Sequence, residues 1–125
     1  MQLVLLVALG GALGSVLRYG AALLSLRWFG PEFPWGTLAV NLVGSFLIGL
    51  VNELAADALV LGPEARLFLA TGVMGGLTTY SAFSYETARL IEAQAWPTGW
   101  IYVIVTTAAC VGLALLGIAA GRGLR

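Results

Sequence analysis

The sequence contains no histidine, one cysteine and few charges. Its 125 residues include six basic and six acidic side chains, which make up 10% of the chain, whereas 60% of the residues are hydrophobic. The lack of histidine excludes His-based proton relays and His-rich metal sites. A single cysteine, Cys110, excludes an intrachain disulfide. With a mean hydropathy of +0.97, so short a chain has too little polar surface to cover a soluble globule and belongs in a bilayer.

Four apolar stretches are each long enough to cross the hydrocarbon core, which requires about 20 helical residues. They cover residues 3–26, 35–58, 65–92 and 97–121, and prolines and glycines separate them. The four tryptophans lie at span ends, where indole rings prefer the headgroup level: Trp28, Trp35, Trp96 and Trp100. The sequence therefore predicts an all-α integral membrane protein with four transmembrane helices in one membrane domain, residues 1–125.

The apolar N-terminus has some features of a signal peptide. No basic residue precedes it, however, and it continues into a full-length span. We therefore expect it to remain as the first helix of a multi-pass protein of the cell membrane.

The arginines divide evenly between the two sides of a four-span protein. Three lie on the side of the termini and three on the other side: Arg66, Arg122 and Arg125 against Arg18, Arg27 and Arg89. The positive-inside rule therefore selects no orientation. Two interpretations stay open, namely an antiparallel dual-topology homodimer of copies inserted in both directions, and a balance that arose by chance.

Two pairs of glycines have the spacing that lets membrane helices approach closely. Gly10 with Gly14 and Gly117 with Gly121 each form a G-x-x-x-G pattern. The pattern is compatible with dimerisation and equally with packing inside one subunit.

Polar side chains follow one face of the second span at helical spacing, namely Thr37, Asn41, Ser45 and Asn52. An amide in hydrocarbon is costly unless it is paired, so Asn41 should face protein or a water-filled path. The alternative is a hydrogen bond that only holds the bundle together. The fourth span has a similar row of Tyr102, Thr106 and Cys110, whose hydroxyls are expected to bond back to their own helix.

The third span contains "GVMGGLTTYSAFSYE", residues 72–86, which is a poor helix interior. Gly75 and Gly76, followed by the β-branched Thr78 and Thr79, predict a broken third helix with the break near 75–79. Backbone carbonyls freed there would have to be buried or line a cavity, and they are suitable ligands for a small cation. Aromatic residues three positions apart follow at 80 and 83, on one face of the resumed helix; such a pair is either packing or part of a path.

Three motifs of this chain resemble the signatures of the CrcB/Fluc fluoride channels. They are "GGALGSVLRYG" in the first span, "GTLAVNLVGSF" in the second and "GGLTTYSAFSYE" in the third. The resemblance covers the whole chain. It implies a fluoride-selective export channel that assembles as an antiparallel dual-topology homodimer in membrane lipid, with two pores and a central structural sodium ion. No enzymatic activity and no nucleic-acid partner are expected.

The resemblance also implies roles for particular residues. Gly75 and Thr78 would offer carbonyls to the sodium ion. The anion path would be lined by residues on three spans and approached past an arginine: Asn41, Tyr80, Ser81, Phe83, Glu86, Tyr102 and Thr106, with Arg18 toward a vestibule. This chain departs from the usual pattern at three positions, where Tyr80 replaces Phe, Ala82 replaces a common Thr, and Cys110 replaces a small or hydroxyl residue.

The residues alone favour an anion path, because a small hydrated anion must exchange its water for hydrogen-bond donors such as Asn41 and Ser81, and only the resemblance names fluoride. Aromatic edges, which carry partial positive charge, can face an anion without binding it tightly. The alternative function is a small dual-topology drug/proton antiporter. That mechanism needs a carboxylate buried early in the chain, and the first span has none; only Glu86 is expected inside the bundle.

Overall fold

The computed structural model describes residues 1–57 and 59–124, and these residues form helices and turns without any strand. The helices are α1 (Gln2–Phe29), α2 (Trp35–Leu54), α3, α4 (Tyr80–Glu92) and α5 (Trp96–Leu124). Helix α3 is a composite of Pro63–Arg66, a π-helical stretch Leu67–Met74, and Gly75–Leu77. The prediction of an all-helical protein is confirmed.

Three helices, α1, α2 and α5, are long and apolar enough to cross a membrane. Helix α4 has only 13 residues, too few to cross alone, and α3 is similarly short; together they occupy the third predicted span. Helix α2 ends at Leu54 rather than at the predicted residue 58. After it, the carboxylate Oδ1 of Asp57 accepts a hydrogen bond from the backbone amide of Leu59 at 2.9 Å. Ala58 and Arg125, which entered the predictions above, lie outside the described residues.

The third span is broken at Thr78 and Thr79, inside the interval 75–79. Both residues are extended, Thr78 with ψ 153° and Thr79 with φ −153° and ψ 117°, whereas Gly75 keeps helical angles of φ −62° and ψ −37°. The break thus falls on the β-branched pair, whose side chains favour extended backbone, rather than on the glycines before it. The π-helical stretch that precedes it was not expected from the sequence.

The glycine pairs serve packing inside this chain. Gly10 and Gly14 of α1 lie against the backbone of α3, and Gly117 and Gly121 of α5 lie against α2. A methyl group at Gly14 would overlap the carbonyl oxygen of Val73. The glycine pairs therefore allow helix backbones of the same chain to contact each other, as the intrachain interpretation predicts.

Little of the chain is enclosed. Two small apolar clusters form the interior, one around Val40, Val73, Met74 and Leu77 and another around Leu38, Phe83 and Tyr102. Most large apolar side chains of α1 and α5 point outward, as expected where hydrocarbon is the solvent.

We predict that Gly14→Ala destabilises the protein whereas Gly20→Ala does not. The new methyl at residue 14 must push α1 away from α3, and such overpacking typically costs about 1–3 kcal/mol. A methyl at residue 20 meets nothing within 4 Å. Thermal aggregation of the detergent-purified proteins measures the difference, and equal midpoints for the two variants would contradict the close approach of α1 and α3.

Candidate functional site

The side chain of Asn41 braces the broken helix. Its Oδ1 accepts a hydrogen bond from the backbone N–H of Thr79 at 2.8 Å, and its Nδ2 donates to the carbonyl of the same residue at 3.1 Å. Both residues are buried. The amide therefore satisfies the two backbone groups that an extended residue exposes at membrane depth, where unpaired groups are costly.

The hydroxyl of Thr79 starts the next helix. Its Oγ1 accepts from the backbone N–H of Ala82 at 3.1 Å and lies 3.2 Å from Ser81 Oγ. Thr79 is therefore the N-cap of α4, a position for which threonine is well suited. One residue thus ends the break and begins the following helix.

These two diversions free two carbonyls. In a continuous helix the amide of Thr79 would bond to the carbonyl of Gly75, and the amide of Ala82 to the carbonyl of Thr78. Here those amides donate to Asn41 Oδ1 and to Thr79 Oγ1 instead. Gly75 is exposed, and together with Thr78 it lines a groove of about 220 Å³. The two residues implied as cation ligands therefore each have a carbonyl that lost its helical donor, and both line the same groove.

A second cavity, of about 330 Å³, lies at the break and shares Ser45 and Thr78 with this groove. Its wall comes from α2, the break, α4 and α5: Asn41, Ser45, Thr78, Thr79, Tyr80, Phe83, Thr106, Thr107, Cys110 and Val111. The hydroxyl of Thr106 is buried, with the residue only 6% exposed, and has no hydrogen-bond partner among the described residues.

The expectation that the fourth-span hydroxyls bond back to their own helix is wrong. The Thr106 hydroxyl has no such partner, and the Tyr102 hydroxyl donates elsewhere. A threonine in a helix usually bonds back to the carbonyl four residues earlier. Among the described residues the Thr106 hydroxyl is therefore unpaired, and Thr106 lines the same cavity as Asn41, whose amide has a second N–H.

Three aromatic rings form a row beside this cavity. The ring centroids of Tyr80 and Phe83 are 5.5 Å apart with planes at 55°, and those of Phe83 and Tyr102 are 5.1 Å apart. Exposure rises along the row, from 0% for Tyr102 through 8% for Phe83 to 80% for Tyr80. Phe83 therefore both packs in the core and faces the cavity, whereas the Tyr80 ring has most of its surface outside the chain.

Glu86 joins three helices through its carboxylate. Oε1 accepts from the Thr37 hydroxyl at 2.6 Å, and Oε2 accepts from the Tyr102 hydroxyl at 2.7 Å. Glu86 and Thr37 also line a separate cavity of about 470 Å³ near the start of α2. A carboxylate inside a membrane protein needs such partners, and here the same chain supplies both.

The polar face of α2 lines these cavities along the whole helix. Thr37 faces the 470 Å³ cavity, Asn41 and Ser45 the 330 Å³ cavity, Ser45 and Ile48 the 220 Å³ groove, and Ile48 and Asn52 a further groove of about 500 Å³. Each of the last three cavities shares lining residues with the next, so they lie side by side along α2.

Residues 5–118 match the family described as "CrcB-like protein, Camphor Resistance (CrcB)". The chain belongs to the CrcB family. Proteins named "Fluoride-specific ion channel FluC" are similar to it over nearly their whole length. One from Sorangium cellulosum (strain So ce56) is 48% identical over 118 residues, which cover 94% of this chain and 93% of that protein. One from Agrobacterium fabrum (strain C58 / ATCC 33970) is 50% identical over 119 residues, 95% of each chain. A third, from Rhizobium meliloti (strain 1021), is 49% identical over 124 residues, 99% of this chain and 96% of the other.

In this CrcB chain, four of the residues implied for the anion path meet at one cavity, namely Asn41, Tyr80, Phe83 and Thr106. Glu86 and Tyr102 share the hydroxyl–carboxylate network. Ser81 is exposed at the start of α4 and contacts Thr79. Arg18 is half-exposed on α1, forms no hydrogen bond or ion pair within the described part of the chain, and is not among the residues lining the four cavities above.

Sequence reasoning assigned no role to three residues of the site. Thr79 caps α4 and receives the Asn41 brace, Thr37 is a partner of Glu86, and Cys110 lines the cavity with Thr106. The spacing did place Thr37 on the polar face of α2 and Cys110 one turn beyond Thr106. Spacing could not identify Asn41 as the partner of Thr79 or Glu86 as the partner of Thr37, because each lies on a different element of the fold.

We predict that Asn41→Leu severely destabilises the break, whereas Asn52→Leu, the same change on the same helix, has a much smaller effect on stability. Losing the brace leaves the buried N–H and C=O of Thr79 unpaired, at about 1–3 kcal/mol each. Asn52 bonds to Ile48 and to exposed Arg66 near the end of α2, where water can replace its hydrogen bonds.

The measurement is the thermal midpoint of each purified protein in detergent, with amide hydrogen exchange of residues 78–82 as a local readout. Fast exchange in the Asn41 variant alone is the expected result. Protection equal to that of the wild type would show that the brace is dispensable.

Proposed function

We propose that this chain is the subunit of a channel that conducts fluoride passively across the cell membrane. The observation that carries the proposal is the cavity beside the Thr78–Thr79 break, where the buried Thr106 hydroxyl has no partner and the braced Asn41 amide has an N–H to spare. The family and the names of the similar proteins agree with this reading.

The chemistry of the cavity suits a small, strongly hydrated anion. Hydroxyl and amide donors can replace water around fluoride, and the ring edges of Tyr80 and Phe83 add weak electropositive contacts. No cationic side chain lines this cavity, so an anion is not trapped by a full opposite charge. Weak contacts in series permit exit as well as entry, as conduction requires.

We infer that the conducting form is an antiparallel dual-topology homodimer with two pores. One chain leaves Tyr80 80% exposed although Tyr80 lines the 330 Å³ cavity, so a second copy packed over Tyr80 would enclose that part of the path. The balanced arginines permit insertion in both orientations. The small interior of one chain also favours assembly.

We infer further that Gly75 and Thr78 hold a structural sodium ion through their carbonyls. Support comes from the diversion of the two amides that would otherwise bond to these carbonyls, and from the open groove that both residues line. Neutral carbonyl oxygens are ligands of the kind that sodium prefers. An ion bound to them in the groove of Gly75 and Thr78 would stabilise the break in addition to the hydrogen bonds of Asn41.

Passive flux from liposomes tests the function. Fluoride should leave protein-loaded vesicles when only a potassium ionophore balances charge, without any proton gradient, and chloride should not leave at a comparable rate. An antiporter would instead need a proton gradient, and Glu86 would be its carboxylate. Fluoride retention without a gradient, together with release on imposing one, would overturn the channel.

Two ring variants test the path within that assay. We expect Phe83→Ile to reduce fluoride flux strongly, because an aliphatic group supplies bulk without the electropositive edge. Tyr80→Phe should stay close to wild type, because it removes only an exposed hydroxyl for which the structure shows no hydrogen bond. Each variant is first checked for dimer assembly by gel filtration. A correctly assembled Phe83→Ile dimer with undiminished flux would assign Phe83 to packing alone.

Added charge tests the antiparallel assembly. Two lysines inserted at 59–62, before α3 begins, should bias insertion toward one orientation and abolish fluoride resistance in cells that lack another fluoride exporter. Co-expression of a copy biased the other way should restore resistance. Resistance from the biased copy alone, with its single orientation verified by labelling, would contradict an antiparallel dimer.

A further inference from the structure

The guanidinium of Arg66 lines the groove where α2 ends. The 500 Å³ groove lies where α2 ends and α3 begins, and Asn52 and Arg66 are among its polar residues. Arg66 Nε donates to Asn52 Oδ1 at 3.0 Å, and Asn52 Nδ2 donates to the carbonyl of Ile48 at 2.9 Å. Both ends of the Asn52 amide are thereby engaged, so Asn52 holds the guanidinium at the mouth of the groove.

Within residues 1–57 and 59–124, no carboxylate neutralises Arg66. The two ion pairs in that part of the chain involve other arginines, Arg89 with Glu92 at 3.0 Å and Arg122 with Glu53 at 3.4 Å. A guanidinium carries five N–H donors, and only the one on Nε of Arg66 is engaged by the described residues. Arg66 therefore presents a positive charge and free donors to the groove.

The groove at Arg66 is a neighbour of the groove at Gly75, which in turn is a neighbour of the cavity at the break. Ile48 and Ala70 line both the 500 Å³ groove and the 220 Å³ groove, and Ser45 and Thr78 line both the latter and the 330 Å³ cavity. Asn52, which holds the guanidinium, is 11 residues beyond Asn41 on α2, about 16 Å along the helix, so at low salt the charge acts on an anion in the 330 Å³ cavity without any passage through the groove at Gly75.

We propose that Arg66, positioned by Asn52, is an anion-binding residue beside the proposed path, at its end nearer the chain termini. It raises the local concentration of fluoride there through its charge, as positively lined clefts do for anionic ligands. The inference rests on the proposed fluoride conduction. It differs from that proposal in predicting a salt-dependent contribution from one end of the path.

The experiment compares variants of the reconstituted full-length channel at two ionic strengths. Fluoride is held constant, and an impermeant sodium salt sets the ionic strength, because the screening length falls from about 30 Å at 0.01 M to about 3 Å at 1 M. We expect Arg66→Gln to lower fluoride conductance by about threefold at low ionic strength and to match wild type at high ionic strength. Arg66→Lys should keep most of the conductance.

Two further variants separate charge from structure. Asn52→Asp keeps the shape of the side chain but sets a carboxylate against the guanidinium, so it should lower conductance at low salt as Arg66→Gln does. Arg122→Gln removes an arginine of the same membrane side that is paired with Glu53 and lies outside the groove, and it should conduct like wild type. Gel filtration verifies assembly of every variant.

Salt dependence decides between the outcomes. Loss of conductance by Arg66→Gln and Asn52→Asp at low salt only, with Arg122→Gln unaffected, supports the inference. A loss of equal size at both ionic strengths would assign Arg66 a structural role and overturn it. Conductance of Arg66→Gln equal to that of Arg122→Gln would overturn it too. If the wild-type protein showed no fluoride conductance at all, the proposed function on which the inference rests would be wrong.

Discussion

The double hydrogen bond between Asn41 and the backbone of Thr79 is the interaction on which the rest of the site depends. A chain can leave helical geometry at membrane depth only if the freed backbone groups find partners within the protein. Asn41 provides one donor and one acceptor in one rigid planar group, at 3.1 and 2.8 Å from the two groups of Thr79. Without this pairing, an extended residue at this depth would carry two unsatisfied buried groups, and a continuous helix would be the better alternative.

The hydrogen bonds of Thr79 determine which carbonyls at the break lack a donor. Because the amide of Thr79 is occupied by Asn41, the carbonyl of Gly75 loses its usual donor, and because the Thr79 hydroxyl caps α4, the carbonyl of Thr78 loses its own. The break also directs the next helix so that Phe83 packs against buried Tyr102 while Tyr80 remains outside. Close packing of α1 on α3 through Gly10 and Gly14 holds the first half of the broken span in place.

The parts of this architecture that depend on local pattern could be predicted from the sequence. Length and hydropathy determine where the spans lie, and a β-branched pair after two glycines predicts the interruption, which the structure has at Thr78 and Thr79. The partners could not be predicted, because they are separated by 38 positions for Asn41 with Thr79 and by 49 for Thr37 with Glu86. Spacing along one helix shows which face a side chain is on, but not what the facing helix supplies.

The π-helical stretch Leu67–Met74 was missed for a related reason. Its residues are as apolar as any helical span, and nothing in their pattern distinguishes one backbone hydrogen-bond register from another. The unpartnered hydroxyl of Thr106 was also missed. Whether a threonine bonds back to its helix depends on its rotamer, and that depends on the space that the neighbouring helices leave.

Some polar groups of the site have hydrogen-bond partners within the described chain and others do not. Those without partners are donors at one cavity of the break and acceptors at the other. The cavity with Asn41 and Thr106 offers spare donors, whereas the groove at Gly75 offers spare carbonyl acceptors. Thr78 lines both. Spare donors suit an anion and spare carbonyls suit a cation, so the two ligands need not compete for the same groups. A cation bound in the groove at Gly75 would also attract an anion in the cavity at Asn41, because the surrounding hydrocarbon screens the charges poorly. By accepting from the amide of Thr79, Asn41 thus leaves the carbonyl of Gly75 without its helical donor, while Asn41 itself keeps one N–H that no described residue engages.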